Sequence, residues 1–195
     1  DITDRERLFH ILKSKSFNYV VNLAGYVDHA DYFSGGSKVF KMHFNGTKNL
    51  INCIEKKSLK NFIQIGSSDE YGLNTAPQSE IQRELPISPY SAAKVASTHF
   101  LQMLHRTERV PIVVLRPFLV YGVGQSNDRF IPQVVQGCLN SKKFPVSFGE
   151  QLRDFCYIDD VVSAIFLALV SKNALGEVIN ISSGIPISIK KVIVL

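Results

Sequence analysis

The chain has 195 residues, of which 45% are hydrophobic and 20% are charged, and its formal net charge is +5. This composition is typical of a globular protein with one sizeable core, and no apolar run approaches the roughly 18 residues needed to cross a membrane. The lysines and arginines are dispersed, without a recognisable nucleic-acid-binding module. We therefore expect neither a nucleic-acid partner nor a membrane partner.

The cysteines indicate the redox compartment of the protein, and the two chain ends indicate how much of it the sequence covers. Cys53, Cys138 and Cys156 are odd in number, widely spaced and set in apolar surroundings. They predict reduced, buried thiols in a cytoplasmic protein, not a disulfide framework or a metal site. The chain opens on Asp1 without a secretory signal and stops within the apolar segment "SIKKVIVL". We expect both ends to lack pieces of a longer protein.

The first half of the chain alternates helical and strand patterns. "DITDRERLFHILKSK" predicts a helix that Thr3 could cap, and "FNYVVNLAG" predicts a strand buried on both faces. Residues 37–57 have the spacing of one helix, with Gly46 as an unfavourable residue inside it. Residues 61–66 are predicted to form the next strand, followed by a polar loop that contains several prolines.

The second half continues the alternation. A helix is predicted from Pro89 to about Arg106, "VPIVVLRP" is a third buried strand, residues 129–140 and 159–172 are helices, and "GEVINISSG" is a last strand. Such alternation predicts an α/β fold with a parallel sheet covered on both faces. Ligands of these sheets bind beyond the carboxyl ends of the strands. The segments "NLAGYVDH", "IGSSDEYG" and "LRPFLVYG" therefore become the candidate site.

A tyrosine, a lysine and a serine could form a proton-transfer set there. Tyr90 and Lys94 are four residues apart on one helix face, and Ser67 follows a strand end. A phenol with a reference pKa near 10 needs a positive charge beside it to act as a base, and a serine hydroxyl can hold a substrate oxygen. The alternative is a chance Tyr-x-x-x-Lys match beside an ordinary turn serine. The pattern alone leaves both open.

Seven segments, taken in their order along the chain, favour the proton-transfer set over a chance match. They are "DITD", "VVNLAG", "HFNGTKNLINCI", "NFIQIGSSDEYG", "SPYSAAK", "VVLRPFLVYGVGQ" and "LRDFCYIDDVVSAI". Together they resemble the extended short-chain dehydrogenase/reductase family, in its nucleotide-sugar epimerase, dehydratase and reductase branch. The resemblance runs from Asp1 to about Ile189. It implies a Rossmann-like doubly wound parallel sheet that lacks its first βαβ unit. Residues 1–122 would be a truncated dinucleotide-binding domain, and 123–195 mainly a substrate-binding region from which strand 178–182 returns to the sheet.

The resemblance also implies roles for individual residues. The catalytic residues would be Ser67, Tyr90 and Lys94. The residues binding NAD or NADP would be Asp1, Ile2, Ala24, Gly25, Tyr26, Tyr90, Lys94 and Pro117. The residues binding a nucleoside-diphosphate sugar would be Ser68, Asp69 and Arg153. For Arg153 the alternative is a surface ion pair with Asp154 or Asp159.

Departures from the family pattern limit these implications. The Gly-rich dinucleotide fingerprint and the residue that selects NAD or NADP are absent from this chain. Ser68 and Asp69 stand where 4,6-dehydratases often have Asp-Glu, Glu70 stands at a usually apolar position, and Leu119 replaces a common asparagine. Asp28 and His29 could face the sugar, although a solvated turn is the favoured interpretation. His99 and His105 lie on different helix faces, which argues against a zinc site.

The favoured function is therefore that of a 4-keto-sugar reductase or a sugar 4-epimerase. The alternatives are a nucleotide-sugar 4,6-dehydratase and, from another class, a non-catalytic cofactor-sensing or scaffold protein. The resemblance implies a homodimer.

Overall fold

A computed structural model of the chain describes residues 1–141, 143 and 145–194. Its strands are β1 (Tyr19–Asn22), β2 (Asn61–Ile65), β3 (Ile112–Pro117), β4 (Leu119–Tyr121), β5 (Leu152–Arg153), β6 (Phe155–Tyr157), β7 (Val178–Ile181) and β8 (Ile187–Ser188). Its α-helices are α1 (Arg5–Leu12), α2 (Gly36–Phe40), α3 (Gly46–Cys53), α4 (Pro89–Glu108), α5 (Phe130–Leu139), α6 (Ile158–Val170) and α7 (Ile189–Val194). None of the helices in the described ranges is both long and apolar enough to span a membrane.

The chain forms two compact units. The first comprises Asp1–Arg116 and Ile165–Asn180, and the second comprises Pro117–Ala164 and Ile181–Leu195. A four-stranded sheet with the order β1-β2-β3-β7 is the centre of the first unit. β1 pairs with β2 in parallel, with Val21 opposite Ile63, and β2 pairs with β3 in parallel. The predicted α/β fold with a parallel sheet and flanking helices is confirmed.

The core of the first unit lies between the sheet and its helices. Phe62, Ile112 and Val114 of the central strands are fully buried against Ile51 of α3 and Leu101 of α4. β2 and β3 are buried along almost their whole length because both are interior strands of the sheet. This packing fixes α4 against the carboxyl ends of the strands, where the candidate site lies.

Three local predictions are wrong. β1 is not buried on both faces: Tyr19 is exposed and the valines are half-buried, because β1 is an edge strand of the sheet and has a neighbour on one side only. Asp4, not Thr3, caps α1 by accepting a bond from the backbone N–H of Arg7, since the Thr3 hydroxyl donates to Asp1 instead. Cys138 is exposed because it lies on the outer face of α5.

The predicted helix 37–57 is divided by a turn of π-helix. α2 runs into a π-helical segment, Lys41–Asn45, which continues into α3. Such bulges widen the helix by one residue per turn and re-aim its side chains, and here His43 is the buried residue of the segment. Gly46 at the junction leaves room for the side chain of Ile2, because a Cβ there would lie 2.6 Å from Cδ1 of Ile2.

The second unit contains two small sheets. β4 pairs with β6 in parallel, and β5 pairs with β8 antiparallel. Asp154, between β5 and β6, accepts bonds from the backbone N–H groups of Ser183 and Gly184 at 2.7 and 2.8 Å. This carboxylate therefore anchors the loop before β8 to the strands that carry Arg153.

Candidate active site

The start of α4 is fixed by reciprocal caps. The Ser88 hydroxyl accepts from the backbone N–H of Ser91 at 3.1 Å, and the Ser91 hydroxyl accepts from that of Ser88 at 3.0 Å. Pro89 occupies the first helical turn, where its missing N–H costs nothing. Tyr90 consequently stands in the first turn, and Lys94 lies one turn further along the same face.

Lys94 joins this helix to the end of β2. Its side chain is 6% exposed, and Nζ donates to the carbonyl oxygen of Ile65 at 2.7 Å. Nζ also lies 5.7 Å from the centroid of the Tyr90 ring. Burial lowers the pKa of Lys94 to about 8, and the charge of Glu70 opposes that change. At pH 7 the amine is therefore mainly protonated.

Ser67 follows β2 and caps a short 3₁₀ turn, Ser68–Tyr71. Its hydroxyl accepts from the backbone N–H of Asp69 at 3.1 Å, while its own backbone N–H donates to Oε1 of Glu70 at 3.0 Å. The hydroxyl is thus held by the turn beside the strand end that Lys94 contacts. Ser68 is half-buried, and the carboxylate of Asp69 remains partly exposed.

Two imidazole rings pack edge-on against Tyr90, which is 6% exposed. The His43 centroid lies 5.0 Å from that of Tyr90, and the His29 centroid lies 5.6 Å away. Nε2 of His29 is also 3.8 Å from Oδ2 of Asp69. The turn that holds His29 is largely solvated, as favoured, yet it also connects the tyrosine with the Ser67 turn.

His43 was missed by the sequence reasoning. Its Nε2 donates to the carbonyl oxygen of Tyr26 at 2.8 Å, and its ring lies where a Cβ on Gly25 would be. Gly25 has φ +134°, so both its backbone and its neighbour require glycine. Burial, followed by the charge of Lys94, lowers the pKa of His43 to about 4. A neutral imidazole therefore couples the end of β1 to Tyr90.

The other predicted cofactor residues of the first unit fall into two groups. Ala24 donates its N–H to Oδ1 of buried Asn22 at 3.1 Å, so it belongs to the same strand end as Gly25 and Tyr26. Asp1 and Ile2 lie instead beside α3, where the carbonyl oxygen of Ile2 accepts from Asn49 at 3.1 Å.

A buried ionic cluster stands behind the Ser67 turn and was also missed. Arg116 and Glu70 are both fully buried, with Nη2 of the arginine 2.7 Å from Oε2 of the glutamate. Nη2 is also 2.6 Å from Oε1 of Glu84, and the guanidinium lies 4.9 Å from the Tyr71 ring centroid. The sequence reasoning noticed Glu70 only as a departure from an apolar position, without its partner.

Pro117 and Arg153 belong to the second unit. Pro117 is the last residue of β3, and Arg153 is an exposed residue of β5 whose Nη1 donates to the carbonyl oxygen of Leu152 at 2.8 Å. Within the described residues Arg153 forms no ion pair, so the alternative pairing with Asp154 or Asp159 is not observed. In the same part of the chain no three His, Cys, Asp or Glu residues are grouped as a metal site would require.

The fold and this geometry define a class. A parallel α/β sheet whose carboxyl edge meets a tyrosine and a lysine on one helix, with a serine after the neighbouring strand, has the architecture of a Rossmann-like short-chain dehydrogenase/reductase. The model of the NAD dependent epimerase/dehydratase family matches residues 1–182, and the chain belongs to that family. The family predicted from the seven segments is confirmed.

Named relatives agree with this placement. A dTDP-D-glucose 4,6-dehydratase of Dictyostelium discoideum is 30% identical over 96% of this chain and 46% of its own length. A UDP-glucuronic acid 4-epimerase variant of Bacillus cereus, solved with a fluorinated UDP-sugar and NAD, is 30% identical, with a TM-score of 0.84 over 97% of this chain and 60% of its own. RMD of Pseudomonas aeruginosa, solved with NADPH, is 25% identical, with a TM-score of 0.87 over 99% of this chain and 70% of its own.

The chain spans about half the length of the curated relatives it matches.

Proposed function

We propose that the full-length protein carries out NAD- or NADP-dependent oxidation and reduction at C4 of a nucleoside-diphosphate sugar, as a 4-keto-sugar reductase or a 4-epimerase. The observation that carries the proposal is the placement of the Lys94 ammonium, which is bound to the end of β2 and lies 5.7 Å from the Tyr90 ring centroid. Membership of the family and the 4-epimerase among its solved relatives support the same reaction type.

The donors of the site fit a nicotinamide ribose. An ammonium has three N–H donors, and within the described residues Lys94 donates one of them, to Ile65. Two remain for ribose hydroxyls, and Gly25 exposes backbone without a side chain beside the same cluster. The residues that would hold the cofactor are Asp1, Ile2, Ala24, Gly25, Tyr26, Tyr90, Lys94 and Pro117. When bound, the nicotinamide supplies the exchange of a hydride with the sugar carbon.

The protein's own residues would move the proton. In the oxidation direction Tyr90 takes the proton of the C4 hydroxyl, and in the reduction direction it returns that proton to the C4 oxygen. The Lys94 charge would favour the phenolate because a nearby opposite charge stabilises the ionised form. The Ser67 hydroxyl, held by the Asp69 N–H, orients the same sugar oxygen.

Sugar recognition would come from further polar side chains. Ser68 and Asp69 continue from Ser67 along the same turn. Arg153, which has no carboxylate partner among the described residues, would bind the diphosphate, for which a planar guanidinium is suited. The resemblance further supports a homodimer, and the odd number and wide spacing of the cysteines support a cytoplasmic location.

A 4,6-dehydratase is the second candidate, because several of the relatives carry that name. It requires an acid to protonate the leaving hydroxyl, and Ser68 stands where an aspartate often does this. Asp69 would have to act alone. A reductase consumes one reduced cofactor per turnover, an epimerase retains its cofactor, and a dehydratase releases water, so product analysis and cofactor retention separate the three.

The test compares Tyr90→Phe with Tyr32→Phe, an exposed tyrosine, in the full-length protein. Turnover of dTDP-sugars and UDP-sugars and calorimetric binding of NAD and NADP are measured on each variant. We expect Tyr90→Phe to lose at least about 100-fold in turnover, the usual range for general acid–base catalysis, with little change in cofactor affinity. Equal turnover of both variants would refute the proposal and favour a cofactor-sensing or scaffold protein.

A further inference from the structure

Glu70 is an unusual residue to find completely buried behind a strand end. Its Oε2 accepts from Nε of Arg116 at 2.9 Å and from the Thr98 hydroxyl at 2.8 Å, while Oε1 accepts from the backbone N–H of Ser67 at 3.0 Å. A buried carboxylate is tolerated only when it is paired and hydrogen-bonded. Both oxygens of Glu70 meet this condition, and each faces a different structural element.

One of these contacts controls the Ser67 turn. The Glu70 side chain reaches back to the backbone of Ser67 and fills the space beside Gly66, where a Cβ would lie 2.5 Å from Oε1. Gly66 is the residue between Ser67 and Ile65, whose carbonyl oxygen binds Lys94. The carboxylate therefore lies next to the backbone that carries both the Ser67 hydroxyl and the Lys94 acceptor.

Lys94 adds a second buried cation beside the charges of this cluster. The acidic members are Glu70 and Glu84, and Arg116 alone pairs with both of them. Glu84 has a further partner in His99, whose Nε2 lies 3.1 Å from its Oε2, whereas Arg116 is the one ion-pair partner of Glu70 among the described residues. Lys94 is the other buried lysine or arginine of the described structure, and the charge of Glu70 opposes the effect of burial on its protonation.

We propose that Glu70 is a positioning residue of this active site, which fixes the Ser67 turn and retains the positive charge of Lys94. This inference rests on the proposed function, because it assigns to Ser67 and Lys94 the roles given above. A purely structural role is the alternative, in which Glu70 only neutralises Arg116.

Glu84 provides the matched control. Glu70→Gln and Glu84→Gln each remove one negative charge from Arg116, but only Glu70 contacts the Ser67 backbone. The titratable groups around Lys94 are Glu70 on the 3₁₀ turn, His43 on the π-helical segment, and Tyr90 on α4 itself. Of these three groups, Glu70 is the one that is changed in Glu70→Gln and kept in Glu84→Gln.

The first readout is the pKa of Lys94 in the full-length protein, from an NMR titration of its ¹³Cε resonance, which Lys94→Arg identifies. We expect Glu70→Gln to lower this pKa by about one unit or more, as the loss of a nearby opposite charge does, and Glu84→Gln to leave it in place. The alkaline limb of the pH–rate profile should move down by the same amount in Glu70→Gln. An unmoved pKa, or equal shifts in both variants, would overturn the inference.

Glu70→Asp decides the matter if Glu70→Gln does not fold. It keeps the charge but is one methylene too short to reach the Ser67 N–H, so we expect a kcat at least about 10-fold lower with the Lys94 pKa unchanged. Wild-type kcat in this variant would overturn the positioning role. The NMR titration needs no substrate, so an inactive wild-type protein with the expected pKa response would refute the proposed function and leave the Glu70–Lys94 coupling standing.

Discussion

Replacing Lys94 by methionine should change how the stability of the protein depends on pH. Burial lowers the pKa of Lys94 from its ordinary 10.5 to about 8 in the folded protein. Between these two values the unfolded chain holds a proton that the folded chain lacks, so the free energy of unfolding rises with pH. Each pKa unit corresponds to about 1.36 kcal/mol, which makes the whole gain about 3 kcal/mol.

The assay is urea unfolding of wild type and Lys94→Met at intervals from pH 7 to pH 10.5. The difference between the two free energies removes the groups that both proteins share, and His43, which also senses Lys94, titrates far below this range. We expect the free energy of unfolding of wild type to rise by about 3 kcal/mol relative to that of the variant between pH 7 and pH 10.5. Most of this rise should occur above pH 8. A difference that stays flat would refute the burial of a charged lysine.

Further predictions concern the neighbours of the site. Gly25→Ala should destabilise the protein by at least about 1 kcal/mol more than Gly35→Ala, as measured by chemical unfolding of both variants. Both positions have positive φ, but only the Cβ at position 25 would overlap the His43 ring. The His43 ring should remain neutral down to pH 5 in an NMR titration because its pKa is about 4, and a midpoint near 6.5 would contradict its burial. Arg116→Met should cost about 3–5 kcal/mol in the free energy of unfolding because it removes the buried guanidinium that pairs with two carboxylates. Exposed Arg106→Met should cost less than about 0.5 kcal/mol.

The elements that sequence reasoning predicted well are those with strong local signals. The largely apolar segments of β2 and β3 and the proline that begins α4 are local features, and the predicted end of α4 lies within two residues of the observed one. The pairing of Tyr90 with Lys94 follows from helical spacing alone. The position of Ser67 follows from the end of β2, but the pattern alone did not separate a catalytic set from a chance match, and the three residues were selected by the resemblance of the seven segments.

The partners that were missed depend on contacts between distant parts of the chain. Glu70 and Arg116 are 46 positions apart, and nothing local distinguishes a glutamate that will be fully buried from one on the surface. His43 reaches Tyr90 through a π-helical turn, which the apolar periodicity of residues 37–57 does not reveal. The exposure of β1 likewise depends on its edge position, not on its own residues.

The central claim is that the Tyr90 site exchanges a hydride at C4 of a nucleotide sugar, which in the oxidation direction breaks the C4–H bond. A direct test mixes the full-length protein, loaded with NAD, with dTDP-glucose or UDP-glucose that carries hydrogen or deuterium at C4, and follows nicotinamide absorbance in a single turnover. We expect the absorbance change to be several-fold slower with deuterium and to be absent in Tyr90→Phe. Product formation at equal rates with both isotopes, or an unchanged signal in Tyr90→Phe, would contradict the claim.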